Sequence, residues 1–229
     1  MNPNQKAAKI VGILFLLSAI TGILGIILNG LPLSFADSPK LLYTVFENSS
    51  NINISILCDV ITNTFSVSLA VLLFSVIQKL NQRIALWYWG FSLIAFTVMV
   101  IGNISLISLL SLSHEYVKPG LHDSGYFQTF AILRQDEYFG THFMGLIVDS
   151  LGALPFYYLL YQSKLIPRFL SAWGLIAATL VLVTTWLQVF GQDVSLLLYL
   201  PNGLFILFLG IWLIVKGFNF SAVVFESTE

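Results

Sequence analysis

The chain has 229 residues, 57% of them hydrophobic and only 9% charged, with a formal net charge of -1. Soluble domains carry about a quarter charged residues, so this composition cannot cover a water-facing surface. With no basic block or acidic tail, the charge pattern argues against a nucleic-acid partner. The lone cysteine, Cys58, excludes an internal disulfide and any CxxC zinc or redox site, and no cofactor is expected.

Six apolar runs follow in chain order, read as helices over about Ile10–Leu28, Ile54–Ile77, Ile84–Leu112, Thr141–Tyr161, Leu170–Phe190 and Val194–Val215. A helix needs about 20 apolar residues to cross a bilayer, whereas a membrane strand needs only about 10 and alternates. Backbone groups in lipid must be satisfied within each segment, which leaves an all-α bundle of six spans. The first run follows Lys6 and Lys9 but is longer than a signal-peptide core and lacks a small-residue cleavage site, so it is read as a retained helix. Residues 1–229 are expected to form one transmembrane domain, with 216–229 as a short tail.

The basic residues sit in alternate gaps. Lys6, Lys9, Lys79, Arg83, Lys164, Arg168 and Lys216 fall on one side, and only Lys40, Lys118 and Arg134 on the other. The positive-inside rule therefore places both termini in the cytoplasm. Trp87, Tyr88 and Trp89 open the third span, while Tyr157, Tyr158 and Tyr161 close the fourth. Both clusters are expected in the inner interface, where amphipathic rings prefer to lie.

Two outer loops, Asn29–Asn53 and Ser113–Gly140, are long. Ser38-Pro39 reads as an N-cap and first turn, followed by an apolar stripe (Leu41, Leu42, Val45, Phe46) suited to the membrane surface. The stretch from Tyr126 to Tyr138 reads as another interfacial helix. Spans two and three also echo spans four and five. Lys79-Leu80-x-x-Arg83 matches Lys164-Leu165-x-x-Arg168, and Trp89-Gly90 matches Trp173-Gly174. Because both hairpins run in the same sense, this would be a parallel repeat about an axis along the membrane normal.

Asp59 and Asp149 carry the functional argument. A carboxylate at a helix centre costs about 2.5–3.5 kcal/mol on insertion scales, so it needs a partner, a cavity or a role. Ser55, Asp59, Thr62, Asn63 and Ser66 form a polar stripe on the second span, and His142, Gly145, Asp149 and Gly152 share a face of the fourth. Asp59, Asn63, Asn103, His142 and Asp149 are the candidate ligand- or ion-binding residues. With Gln188 and Asn202 they fall in the outer halves of their helices, which suggests a vestibule open to the outside. Asp59 and Asp149 are expected to face the bundle interior in one outer-leaflet layer.

Two carboxylates and several amides, with no intramembrane Lys or Arg, favour a small polar or cationic ligand, or protons, bound by a carrier or sensor. The alternatives are an intramembrane metal-dependent hydrolase using His142, Asp149 and a loop histidine (His114 or His122) with Asp123, and a structural subunit whose polar groups specify helix packing. Gly22 and Gly25 mark close helix contact, and Pro155 and Pro201 are expected to kink their helices.

Several signatures resemble one family. Ala8-Lys9-Ile10-x-Gly12 with Phe15-Leu16 opens the first span, Leu160-Tyr161-x-Ser163-x-x-Ile166-Pro167-Arg168-x-Leu170 forms the second cytoplasmic turn, and Trp212-Leu213-x-x-Lys216-Gly217 closes the last span. Together with Asp59 these resemble the multi-pass bacterial membrane proteins grouped as domain of unknown function 4386, over about Lys6 to Gly217. The resemblance implies a six-helix protein of the bacterial inner membrane and transfers no catalytic residue. The resemblance does not place Asn103 and His142 in the family pattern.

Overall fold

The computed structural model describes residues 3–30, 33, 40–118 and 125–219. Ser38, Pro39, His122, Asp123 and the tail from 220 onward lie outside them. The described residues are helical apart from short connections, without strand. The helices are α1 (Pro3–Gly25, continued by a π-helical turn at Ile26–Gly30), α2 (Leu41–Glu47), α3 (Ser49–Ile77), α4 (Gln82–Tyr116), α5 (Gly125–Ser163), α6 (Arg168–Val189) and α7 (Leu200–Val215, preceded by a 3-10 turn at Leu196–Tyr199). Six of them, all but α2, are long and apolar enough to cross a membrane.

The six spans form a closed ring. α1 packs on α3, then α3 on α4, α4 on α5, α5 on α6, α6 on α7, and α7 returns to α1. Small residues set the closest approaches. A methyl group at Gly12 would lie 2.6 Å from the Gly210 carbonyl oxygen, so α1 and α7 meet backbone to backbone. Gly174 accommodates the Phe205 ring between α6 and α7, and Gly152 accommodates Phe91 between α4 and α5. Close approach of this kind supplies the van der Waals packing that drives helix association in lipid.

At the end that gathers Lys6, Lys9, Lys79, Arg83, Lys164, Arg168 and Lys216, here called the basic end, one apolar cluster draws on all six spans. Val11, Leu73, Ala85, Phe156, Ala177 and Phe205 represent them. Pro155 lies within this half of α5 and removes the N–H that would bond the Leu151 carbonyl. The Trp87 indole of α4 fills the vacancy, donating to that carbonyl at 3.0 Å, and α5 runs on as one helix. Pro201 occupies the first turn of α7, where a missing N–H costs nothing.

At the far end α4 and α5 have 35 and 39 residues, about 50 and 60 Å at 1.5 Å per residue, against an acyl core of about 30 Å. They therefore project well past a bilayer. This corrects two expectations. The stretch from Tyr126 to Tyr138 is not a separate interfacial helix but the first turns of α5. The stripe on α2 does not lie on the membrane surface: Leu41, Leu42 and Val45 are buried with Leu33, Leu106, Leu109 and Ala131 in a second apolar cluster between the projecting helices. Phe46 alone of that stripe is exposed, edge-on to His114 at 5.1 Å.

The two echoing hairpins run in the same sense and turn over connections of equal length, Gln78–Asn81 and Lys164–Pro167. Their paired positions nevertheless have different surroundings. Gly174 is packed against Phe205, while the space beside Gly90 is open.

Candidate functional site

The ring encloses a cavity of about 90 Å³ to which every spanning helix contributes. Ser18 comes from α1, Ser66 from α3, Tyr88 from α4, Asp149 and Ser150 from α5, Val181 from α6 and Asn202 from α7. Asp149 shares the inward face of α5 with Ala153 and Phe156, opposite the lipid-facing Met144, Leu151 and Tyr158. Its side chain is nonetheless accessible, and it lines the cavity. Among the described residues the Asp149 carboxylate has neither a hydrogen bond nor an ion pair, and no Lys or Arg lines the cavity.

Tyr88 and Tyr157 stand within electrostatic reach of Asp149. Neither lies in the interfacial belt where the sequence pattern put them. Tyr88 stacks on Phe156 at 4.5 Å, and Tyr157 meets Phe205 edge-on at 5.1 Å. Trp87, Trp89, Tyr158 and Tyr161 do remain exposed, as a belt requires. A helix turns about 100° per residue, so three consecutive aromatics cannot share one face, and the middle one of Trp87-Tyr88-Trp89 turns inward.

Asp59 belongs to a different layer. It is half-buried beside Gly25, where an added methyl group would sit 2.8 Å from its Oδ1. Tyr138 of α5 stands within its electrostatic reach and accepts a hydrogen bond from Asn29 Nδ2 at 3.0 Å. The Asp59 carboxylate likewise has no hydrogen bond or ion pair among the described residues. Asp59 is not part of the lining of the Asp149 cavity. Along α3 it precedes Ser66 by two turns, about 10 Å; along α5 Tyr138 precedes Asp149 by three turns, about 16 Å. The expected single layer of two aspartates is therefore two layers, because α5 begins at Gly125 and Asp149 lies deeper than a start at Thr141 implied.

The remaining candidates are separate. Asn63 donates to the Asp59 backbone carbonyl one turn earlier, a local bond. Asn103 is buried, and its Oδ1 has no partner. His142 occupies the face of Asp149 two turns towards the far end and has no hydrogen bond among the described residues. Gln188 accepts from the Tyr199 hydroxyl, which fastens the 3-10 turn before α7 to α6. Gly22 and Gly25 both face α3, against Thr62 and Asp59. Thr62 and Thr21 hydrogen-bond at 2.6 Å, so this seam is helix contact as read from the spacing.

No three His, Cys, Asp or Glu side chains converge among the described residues. His114 lies at the far end against Phe46, and the other loop residues of the hydrolase reading, His122 and Asp123, lie outside the described residues.

Residues 10–217 match the model of the family described as Domain of unknown function (DUF4386), and the chain belongs to that family. No curated protein and no solved structure matches it.

Proposed function

We propose that this multi-pass membrane protein is a carrier or sensor for protons or a small cation, with Asp149 as the charge-bearing group. The supporting observation is a carboxylate without a partner, aimed into a polar cavity at the centre of the ring. Leaving an ionisable group uncompensated at that depth is costly, and such groups mark ion and proton pathways. Size narrows the ligand. Pockets for drug-sized molecules run to about 300–1,000 Å³, while 90 Å³ holds a proton relay or a small, partly hydrated cation. Ser18, Ser66, Ser150 and Asn202 supply neutral oxygen ligands around the single negative charge.

The membrane assigned is a bacterial inner membrane, with the basic end towards the cytoplasm.

Cysteine accessibility tests the reading without knowledge of the ligand. In a Cys58→Ala background, Ser66→Cys should react at least tenfold faster with a small cationic thiol reagent than with an anionic one of similar size. Asp149→Asn should erase that preference while insertion and folding persist. In sealed vesicles, Asp149→Asn should also abolish proton or cation movement driven by an imposed gradient. Equal reactivity towards both reagents, unaltered by Asp149→Asn, would leave Asp149 as a packing element and overturn the proposal.

A further inference from the structure

A second cavity, about 620 Å³, lies at the basic end and shares no residue with the Asp149 cavity. It is a groove between the α5–α6 turn and the end of α7, held together by the hydrogen bond from the Asn219 amide to the Leu165 carbonyl at 2.9 Å. Lys164, Arg168 and Lys216 line it, with Trp212 and Pro167, and among the described residues no acidic side chain does. Among the described residues none of these three cations is ion-paired; Arg168 only lies over the Tyr161 ring, at 5.5 Å.

Two backbone features add to the positive field. α6 begins at the groove with Pro167 as its N-cap, and no side chain caps its first turn. Its free N–H groups and macrodipole favour an anion there. The matching turn before α4 differs, since Asn81 Oδ1 accepts from the Ile84 amide and satisfies that helix start. Lys164 adopts a φ of 55°, a left-handed conformation where glycine is the usual residue. A lysine held in that conformation beside a cationic groove is strain placed where charge is presented.

The groove opens where α6 and α7 leave the acyl layer. Phe169 and Ile176 on α6 and Val215 on α7, the first and last of them next in sequence to the groove residues Arg168 and Lys216, are 65%, 66% and 69% exposed. We infer that this groove seats the phosphate headgroup of an anionic phospholipid, with its acyl chains along the exposed flank of α6 and α7. Basic pockets between spanning helices are suited to such headgroups, and the bilayer supplies them at that depth.

The test uses the full chain in nanodiscs of phosphatidylcholine with a minor fraction of phosphatidylglycerol, and reads the lipids retained on gentle extraction. Phosphatidylglycerol should be enriched several-fold over its share. Substituting Lys164→Gln, Arg168→Gln and Lys216→Gln together should return it to its bulk share, while Lys79→Gln with Arg83→Gln should leave the enrichment intact. The melting temperature of each variant in pure phosphatidylcholine separates loss of binding from loss of fold. Enrichment that survives in the folded triple variant would overturn the inference. So would displacement of the lipid by millimolar inorganic phosphate, which would assign the groove to a soluble anion. Enrichment absent in the native chain, and appearing only with Glu226→Gln and Glu229→Gln, would assign it to the chain's own tail.

Discussion

At the basic end every spanning helix feeds one apolar cluster, whereas the far-end cluster takes nothing from α6, α7 or the helical part of α1. Charge divides the same way. At the far end Lys118 pairs with Glu115 at 2.6 Å and Arg134 with Glu137 at 2.5 Å, while among the described residues the groove cations of the basic end have no ion pair. Among the described residues the buried polar atoms without partners (Asn29 Oδ1, Asn103 Oδ1 and Thr184 Oγ1) all lie towards the far end. One half is a shared, saturated core that holds the ring. The other is a set of local contacts around polar layers, free to differ from one side of the ring to the other.

The largest expected effect tests that division directly. Phe205→Ala removes a fully buried ring that touches α5 and α6 and should cost about 3–5 kcal/mol of global stability. Leu109→Ala, equally buried, should instead raise hydrogen exchange in α2 and the projecting turns of α4 and α5 while the basic end stays protected. Matching loss of protection at both ends would show one cooperative core and remove the distinction.

The next sharpens the account of the saturated half. Trp87→Phe leaves the Leu151 carbonyl without its donor and should cost about 1–3 kcal/mol in denaturant titration. Pro155→Ala restores the helix N–H, so the same substitution in that background should be nearly neutral. An unchanged cost would mean that Trp87 acts through packing alone.

In the far half, Asn103→Leu removes an unsatisfied amide and should be neutral or stabilising within about 1 kcal/mol. A clear destabilisation would mean that Asn103 has a partner in the membrane, such as water. The smallest effect belongs to Lys118→Gln and Arg134→Gln, exposed pairs worth about 0–1 kcal/mol each, judged by melting temperature with and without salt.

The six spans were legible because apolar length is a robust signal in lipid. Their far ends were not. Arg134, Asp136 and Glu137 break the apolar pattern, yet the helix continues there in water, aided by its own i,i+3 pair. That hidden extension produced two further errors. It supplied a protein surface for the α2 stripe, and it displaced Asp149 from the layer of Asp59. Asp59 and Asp149 themselves stood out as carboxylates in apolar runs. Tyr88 and Tyr157, placed beside Asp149, did not, because belts and cores use the same residue types and only the angular spacing separates them. The groove at the basic end was visible as charge but not as shape, since its two walls are about 50 residues apart in the chain.

The ring closes through Gly12 and Gly210, in the first and the last of the six spans. Ribosomes deliver helices in order, so α1 waits in the bilayer with one flank uncovered while the others insert. Asp149 enters before α6 and α7 exist to wall it in, and the cavity acquires its Asn202 side only with the final span. Any ion site built on Asp149 therefore comes into being at the last step of assembly. A nascent chain halted before α7 presents an open horseshoe, a form that membrane quality control could recognise by its unfinished polar edge.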